Sequence, residues 1–288
     1  MRSSVKMMKA MPAALIAAGL MTGAASAADL LVDPPVIEAP EVKTTSGWYL
    51  RGDISYDMSS MDEPHYSVPG AGGVVQFDTA ALEESFNLGI GIGYQINEYF
   101  RVDLTGDYVF EAGFRGSTSG TCPDPNAGDG LPGSPCVSDD SASVHKFKML
   151  ANAYVDLGHF NGFTPYVGAG IGGAYVTWGD LTNQSNCTTG DPLVYSACPD
   201  APEGYTATGT GSTRTDVHGG GSSWRFAYAL HAGASYSLTK STKLDFGYTY
   251  SNIAGGDMFD WLDGSGTQGY DKGFDEHVIR AGLRYHFN

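Results

Sequence analysis

From Gly47 onward the chain alternates apolar and polar residues with a period of two, in eight runs separated by turn-rich segments. Such a period puts successive side chains on opposite faces of a β-strand. The last run, 276–288, sets His277, Ile279, Ala281, Leu283, Tyr285 and Phe287 against Val278, Arg280, Gly282, Arg284 and His286. In the second, 85–96, Phe86, Leu88, Ile90, Ile92, Tyr94 and Ile96 oppose Asn87, Gly89, Gly91, Gly93 and Gln95. The others fall at about 47–58, 99–114, 144–157, 163–179, 222–238 and 243–250. One face is nearly continuous in apolar and aromatic residues, and the other is narrow, glycine-rich and charged.

The connections then decide the architecture. Segments 59–84, 115–143, 180–221 and 252–275 are long, whereas 97–98, 158–162 and 239–241 are tight turns, so long and short alternate along the whole chain. This is the rhythm of a transmembrane barrel, with short turns on the periplasmic side and long loops outside. Runs of about ten residues or more suffice for a tilted crossing of the hydrocarbon. Trp48, Tyr94, Tyr99, Trp178, Trp224, Tyr236, Tyr250 and Phe287 recur near run ends, as interfacial girdles require. A soluble lipocalin-like barrel would invert the polarity of the two faces. The expected fold is all-β: an eight-stranded antiparallel up-and-down transmembrane β-barrel over 47–288, with four long extracellular loops.

The N-terminus reads as an export signal. Arg2, Lys6 and Lys9 precede an apolar stretch from Met11 to Met21, and Ala25-Ser26-Ala27 forms a small-residue cleavage site. Residues 1–27 are therefore expected to be removed. Residues 28–46, rich in proline and acid, form a periplasmic tether, and both mature termini are expected in the periplasm. Removing three basic residues and no acidic ones leaves 13 Lys and Arg against 32 Asp and Glu, a net charge of −19. So acidic a chain lacks the basic footprint that nucleic acid demands. Four cysteines, Cys122, Cys136, Cys187 and Cys198, suit an oxidising compartment. They allow three connectivities; the two local pairs, each closing a short loop, are favoured.

Three segments carry a family resemblance: Gly47-Trp48-Tyr49-Leu50-Arg51-Gly52-Asp53, Pro165-Tyr166-Val167-Gly168-Ala169-Gly170-Ile171-Gly172, and Gly282-Leu283-Arg284-Tyr285-His286-Phe287. With these the chain resembles the small outer-membrane β-barrels of the opacity-protein and porin-like surface-antigen class of alphaproteobacteria, similar in form to the barrel of outer-membrane protein A. The resemblance implies outer-membrane lipid and lipopolysaccharide as surroundings. It also implies barrel-assembly machinery that reads an aromatic residue at the end of the last strand, here Phe287 followed by Asn288.

Two motifs tempt and fail. Arg51-Gly52-Asp53 spells an integrin-binding tripeptide, but in a strand Gly52 faces lipid while Arg51 and Asp53 point inward. Gly168, Gly170 and Gly173 satisfy a dinucleotide fingerprint, yet more strand follows where that fold needs a helix N-terminus. Those glycines instead make room for bulky interior side chains.

The polar faces carry the chemistry. They assign to the barrel interior Arg51, Asp53, Asp57, Arg101, Asp103, Asp107, Glu111, Lys148, Asp156, Arg225, Lys243, Asp245, Arg280 and Arg284, with His231 and His286. Charges away from bulk water need partners or hydration. Both signs on adjacent strands make an interlocked ion-pair network the expectation, and a thin hydrated pathway the alternative. Eight strands leave an interior that side chains can fill. No serine–histidine–acid constellation is fixed by spacing, so no catalytic residue and no cofactor is expected. Asp257, Asp260, Asp263, Asp271, Asp275 and Glu276 crowd the last long loop without EF-hand spacing, and solvation is their expected role. The sequence thus predicts a non-enzymatic envelope barrel that presents surface loops to host or phage ligands; a narrow low-conductance channel is the alternative.

Overall fold

The computed structural model describes residues 46–68, 73–122, 134–188, 205–208, 211–260 and 268–287. The expected signal peptide and all but the last residue of the tether lie outside this set, as does Asn288. Eight long strands form the body: β1 (Gly47–Met61), β2 (Ser85–Gln95), β3 (Phe100–Ser117), β4 (Ser134–Asp156), β5 (Phe163–Trp178), β6 (Ser222–Ser237), β7 (Thr242–Asp260) and β8 (Gln268–His286). Each pairs antiparallel with its sequence neighbour. β8 also pairs with β1, from Tyr49 opposite His286 to Met61 opposite Phe274, and the ring closes. Closure pairs each of the eight ring strands on both sides, as a strand structure must be in hydrocarbon.

Side-chain polarity follows the ring. On β1, Trp48, Leu50 and Ile54 are exposed, while Tyr49, Arg51, Asp53, Ser55 and Asp57 are buried. Ile90, Leu104, Ile171, Leu230, Phe246 and Leu283 continue the apolar outer surface around the ring. An apolar belt so extensive exceeds what a monomeric soluble protein exposes. Two rows of aromatic pairs border it. Trp48–Tyr94, Phe163–Tyr236 and Tyr285–Phe287 lie at the short-turn end. Tyr56–Phe86, Tyr108–Phe110, Tyr175–Trp224 and Tyr228–Tyr250 lie toward the other end. The rows are eight residues apart on β1 (Trp48 to Tyr56) and twelve on β6 (Trp224 to Tyr236). At ~3.4 Å per residue and a tilt of ~40°, that is about 20–30 Å of depth, bracketing the ~25 Å apolar band of outer-membrane barrels.

The short turns are locally encoded. Asn97 Oδ1 accepts hydrogen bonds from the Tyr99 and Phe100 amides at 2.8 and 2.9 Å. Thr239 Oγ1 does the same for Ser241 and Thr242, and such side-chain caps stand in for backbone turn bonds. At 158–162 the chain reverses through Gly158 and Gly162, whose φ angles of +118° and +89° favour glycine.

The other end departs from expectation. Much of what composition marks as loop is strand: β3, β4, β7 and β8 run well past the aromatic row, and Leu181–Thr188 and Gly211–Gly220 pair with each other. Leu181–Thr188 pairs in addition with β4, and Gly211–Gly220 meets the end of β7. The wall therefore rises beyond the apolar belt. Inside it, the polar interior gives way to an apolar layer of Phe114, Val176, Trp178, Ile253, Met258, Phe259 and Phe274.

Irregularities re-phase the strands near that level. Between Val109 and Ala112 the β3–β4 register shifts. Val109 and Ala112 are both buried, whereas Phe110 and Glu111 are both exposed. Glu111 is thus not an interior residue: the bulge re-phases the strand and turns its carboxylate outward, correcting its assignment from strict alternation. At Gly273, with φ +124°, two consecutive residues of β8 face inward, Gly273 and Phe274. Trp178 also differs from expectation. It shares the parity of Tyr166, Ala174 and Val176, is 3% exposed, and belongs to the apolar layer rather than to a girdle.

Candidate functional site: the barrel interior

At and below the level of the apolar layer the ring strands bury eight cations, Arg51, Arg101, Lys146, Lys148, Arg225, Lys243, Arg280 and Arg284. They bury eight anions with them: Asp53, Asp57, Asp103, Asp107, Asp156, Asp245, Asp271 and Glu276. This balance makes mutual neutralisation feasible, and the contacts show it in three tiers.

At the short-turn end, Arg101 Nε donates to Asp156 Oδ1 at 3.1 Å, and its guanidinium lies 4.0 and 4.5 Å from the ring centroids of Tyr154 and Tyr166. Two aromatic faces on one guanidinium suit its weak hydration. Arg284 Nη2 donates to Asp245 Oδ1 at 2.9 Å and to Ser235 Oγ at 2.7 Å. Lys243 and His286 are buried nearby.

The middle tier is built on Arg51. Its Nη2 and Nε grip the two oxygens of Asp53, each at 2.9 Å, and its Nη1 reaches Asp103 and the Tyr154 hydroxyl, each at 3.1 Å. Such two-pronged contacts are the strong form of ion pair. Asn152 Nδ2 donates to Asp103 Oδ1 at 2.8 Å, and Asn152 Oδ1 lies 3.1 Å from His231 Nε2. His231 Nδ1 lies 2.9 Å from Thr249 Oγ1, so both ring nitrogens are occupied. Arg280 Nη2 approaches Asp107 at 3.5 Å. Close walls make this crowding possible: a Cβ on Gly168 would strike the Tyr154 ring, and one on Gly170 the Asn152 amide. Gly168 and Gly170 of the fingerprint-like run thus sit in mid-β5 against interior side chains, whereas Gly173 lies against the outward-facing Trp224.

The third tier centres on Glu276, whose two oxygens take Lys146 Nζ and Lys148 Nζ, each at 2.5 Å. Ser251 Oγ donates to the same carboxylate at 2.5 Å, and Asp57 lies 4.0 Å from Lys146. Above it, Arg225 Nη1 donates to both oxygens of Asp271, at 2.7 and 2.8 Å. Lys146, Asp271 and Glu276 are interior charges that the assignment from sequence missed. For Lys146 and Glu276 the signal was present, since they share the parity of Lys148 and Arg280. For Asp271 it was erased by the re-phasing at Gly273. Asp271 and Glu276 are correspondingly not solvated loop residues, and Asp275 accepts hydrogen bonds from Tyr250 at 2.6 Å and Asn252 at 2.9 Å.

The remaining sequence candidates are dispersed. Arg51 and Asp53 of the Arg-Gly-Asp tripeptide are each 6% exposed and tied to one another. Tyr248 Oη lies 2.5 Å from His277 Nδ1, and Thr164 Oγ1 lies 2.7 Å from His159 Nδ1. In the raised wall, Ser138 Oγ and Asn183 Nδ2 donate to Asp140 at 2.7 and 2.5 Å, yet burial still pushes that carboxyl above its ordinary range. Among the cysteines, the backbone register sets Cys136 opposite Cys187 and also opposite Gly120, and sets Cys122 opposite Ser134. Cys198 lies outside the described residues.

Comparison with known proteins agrees with this architecture. An uncharacterized protein of Brucella suis is 35% identical over an alignment of 306 residues, covering 95% of this chain and 97% of its own. A Rickettsia bellii protein provisionally named an adhesin is 26% identical over 243 residues, covering 83% of this chain and 87% of its own. Among solved structures, OprG of Pseudomonas aeruginosa is matched over 85% of this chain and 99% of its own, at 17% identity and a TM-score of 0.44. A family model described as the outer membrane protein beta-barrel domain matches residues 14–287, nearly the whole chain, and the protein belongs to that family of bacterial outer-membrane β-barrels.

Proposed function

We propose that the protein is a non-enzymatic structural barrel of the outer membrane whose work is to hold and present its raised rim and long connections at the cell surface. The observation that carries this reading is the filled interior. Seven of the eight buried cations, all but Lys243, pair with buried carboxylates, and Phe114, Trp178, Ile253, Met258, Phe259 and Phe274 pack into an apolar layer toward the raised wall. A lumen occupied in this way favours a rigid support over a conduit. Among the described residues the histidines carry structural hydrogen bonds or lie apart from one another, which supports the non-enzymatic reading. Lipopolysaccharide would meet the outer aromatic row, assembly machinery the β8 end at Phe287, and host or phage ligands the rim. The likeness to a protein provisionally named an adhesin supports the last of these.

One observation favours the narrow-channel reading instead. Toward the short-turn end, Arg101 Nη1 and Nη2, Lys243 Nζ, Arg284 Nη1 and His286 Nε2 have no hydrogen-bond partner among the described residues. Buried cationic groups of this kind call for hydration, which would wet the lower half of the barrel while the apolar layer closes the upper half.

In this reading the short turns and both mature termini face the periplasm. An epitope inserted between Asp263 and Gly264 is expected to bind antibody on intact cells. The same epitope between Lys240 and Ser241 is expected to bind only after the outer membrane is permeabilised. The reverse pattern would overturn the orientation, and binding at neither site on intact cells would remove the surface-presentation role.

A further inference from the structure

We propose that Cys136 and Cys187 are joined by a disulfide that ties the second long connection to the third, in place of the local pairs that spacing favours. The inference rests on the export reading, because a disulfide persists only in an oxidising compartment.

The argument is one of register. β4 begins at Ser134, and its first residues are flanked on both sides. On one side runs Ser119–Cys122, and on the other Leu181–Thr188. Across the second of these ladders Cys136 and Cys187 are direct antiparallel partners. Direct partners lie ~4.5 or ~5.5 Å apart at Cα, according to their place in the hydrogen-bond alternation. Both values fall inside the ~4.4–6.8 Å window of a disulfide. Across the first ladder the partner of Cys122 is Ser134 and the partner of Cys136 is Gly120, an offset of two residues. That offset makes Cys122 and Cys136 diagonal neighbours at ~7–8 Å, beyond what a disulfide spans without backbone movement. Of the three connectivities, only the one that joins Cys136 to Cys187 and Cys122 to Cys198 agrees with the register.

The bond forms by exchange with a periplasmic disulfide donor. The thiolate of one cysteine attacks the donor's disulfide, giving a mixed disulfide and one donor thiolate. The second cysteine's thiolate then attacks the protein-side sulfur and expels the donor's other thiolate. The protein loses two protons and two electrons, and the donor leaves as a dithiol. The product adds a covalent tie to the rim, where β4 and Leu181–Thr188 are joined by the backbone ladder and by the Asn183–Asp140 hydrogen bond.

The test is disulfide mapping of the full-length mature protein recovered from outer membranes, with free thiols blocked by N-ethylmaleimide during denaturation. Cleavage on the N-terminal side of aspartate, at Asp124 or Asp129 and at Asp191, places each cysteine in a separate peptide. The expected species is a crosslinked pair carrying Cys136 and Cys187, lost on reduction. Crosslinks joining Cys122 to Cys136, or Cys187 to Cys198, would overturn the proposal. So would alkylated Cys136 in protein already inserted in the outer membrane, where export is not in question. A Cys136→Ser variant gives an independent reading: label should appear on Cys187, and label on Cys122 instead would contradict the assignment.

Discussion

Replacing Glu276 with glutamine is expected to destabilise the folded barrel by about 3–5 kcal/mol, the cost of breaking a buried ion pair from one side. Glu276 is fully buried and is the carboxylate that both Lys146 and Lys148 reach at 2.5 Å. Its loss leaves two ammonium groups buried with only more distant carboxylates such as Asp57, 4.0 Å from Lys146, and Asp107. Urea unfolding in lipid vesicles, followed by the shift between folded and unfolded mobility on unheated gels, measures the change. A combined Lys146→Met, Lys148→Met, Glu276→Leu variant removes all three charges together. It should recover most of the lost stability, because apolar groups of similar volume replace a buried ionic cluster at little cost. A loss below about 1 kcal/mol for the single variant would mean that water, not the ion pairs, supports this tier.

The second large effect lies on the outer face. Ile90 is 74% exposed, midway between the two aromatic rows on β2. In water, Ile90→Lys at so open a position would be close to neutral. Facing hydrocarbon at mid-depth, it should cost about 2–4 kcal/mol. Val217 supplies the control, being 54% exposed on Gly211–Gly220 in the raised wall. Val217→Lys is expected to stay within about 0.5 kcal/mol, as surface substitutions do. Equal effects at both positions would contradict the placement of the belt.

The ring was legible in the sequence because its signal is local. A period of two names the strand, and the alternation of long and short connections names the topology. Tight turns such as Asn97-Glu98 carry their own caps. Interior residues on regular stretches, from Arg51 and Asp53 to Arg280 and Arg284, follow from parity alone. What was not legible is whatever depends on a neighbour distant in the chain. The bulge after Val109 is a feature of the β3–β4 register, and it turns Glu111 outward without leaving a mark in composition. The re-phasing at Gly273 likewise brings Asp271 to Arg225. Polar segments such as 134–143 and 211–220, rich in serine, aspartate or glycine, read as loop, because the raised wall needs no apolar face on its outer side. Cysteine spacing pointed to short closures, whereas register across β4 brings Cys136 to Cys187.

The filled interior is the claim on which the rest depends, and single-channel recording of the refolded mature protein in a planar bilayer tests it most directly. Folding must first be shown by heat-dependent gel mobility, under oxidising conditions. The account predicts a silent bilayer, because the apolar layer around Phe274, Phe259 and Trp178 closes the barrel above the charged tiers. Steady openings whose amplitude changes when Arg101 or Arg280 is replaced by alanine would contradict it and make the same residues the lining of a channel.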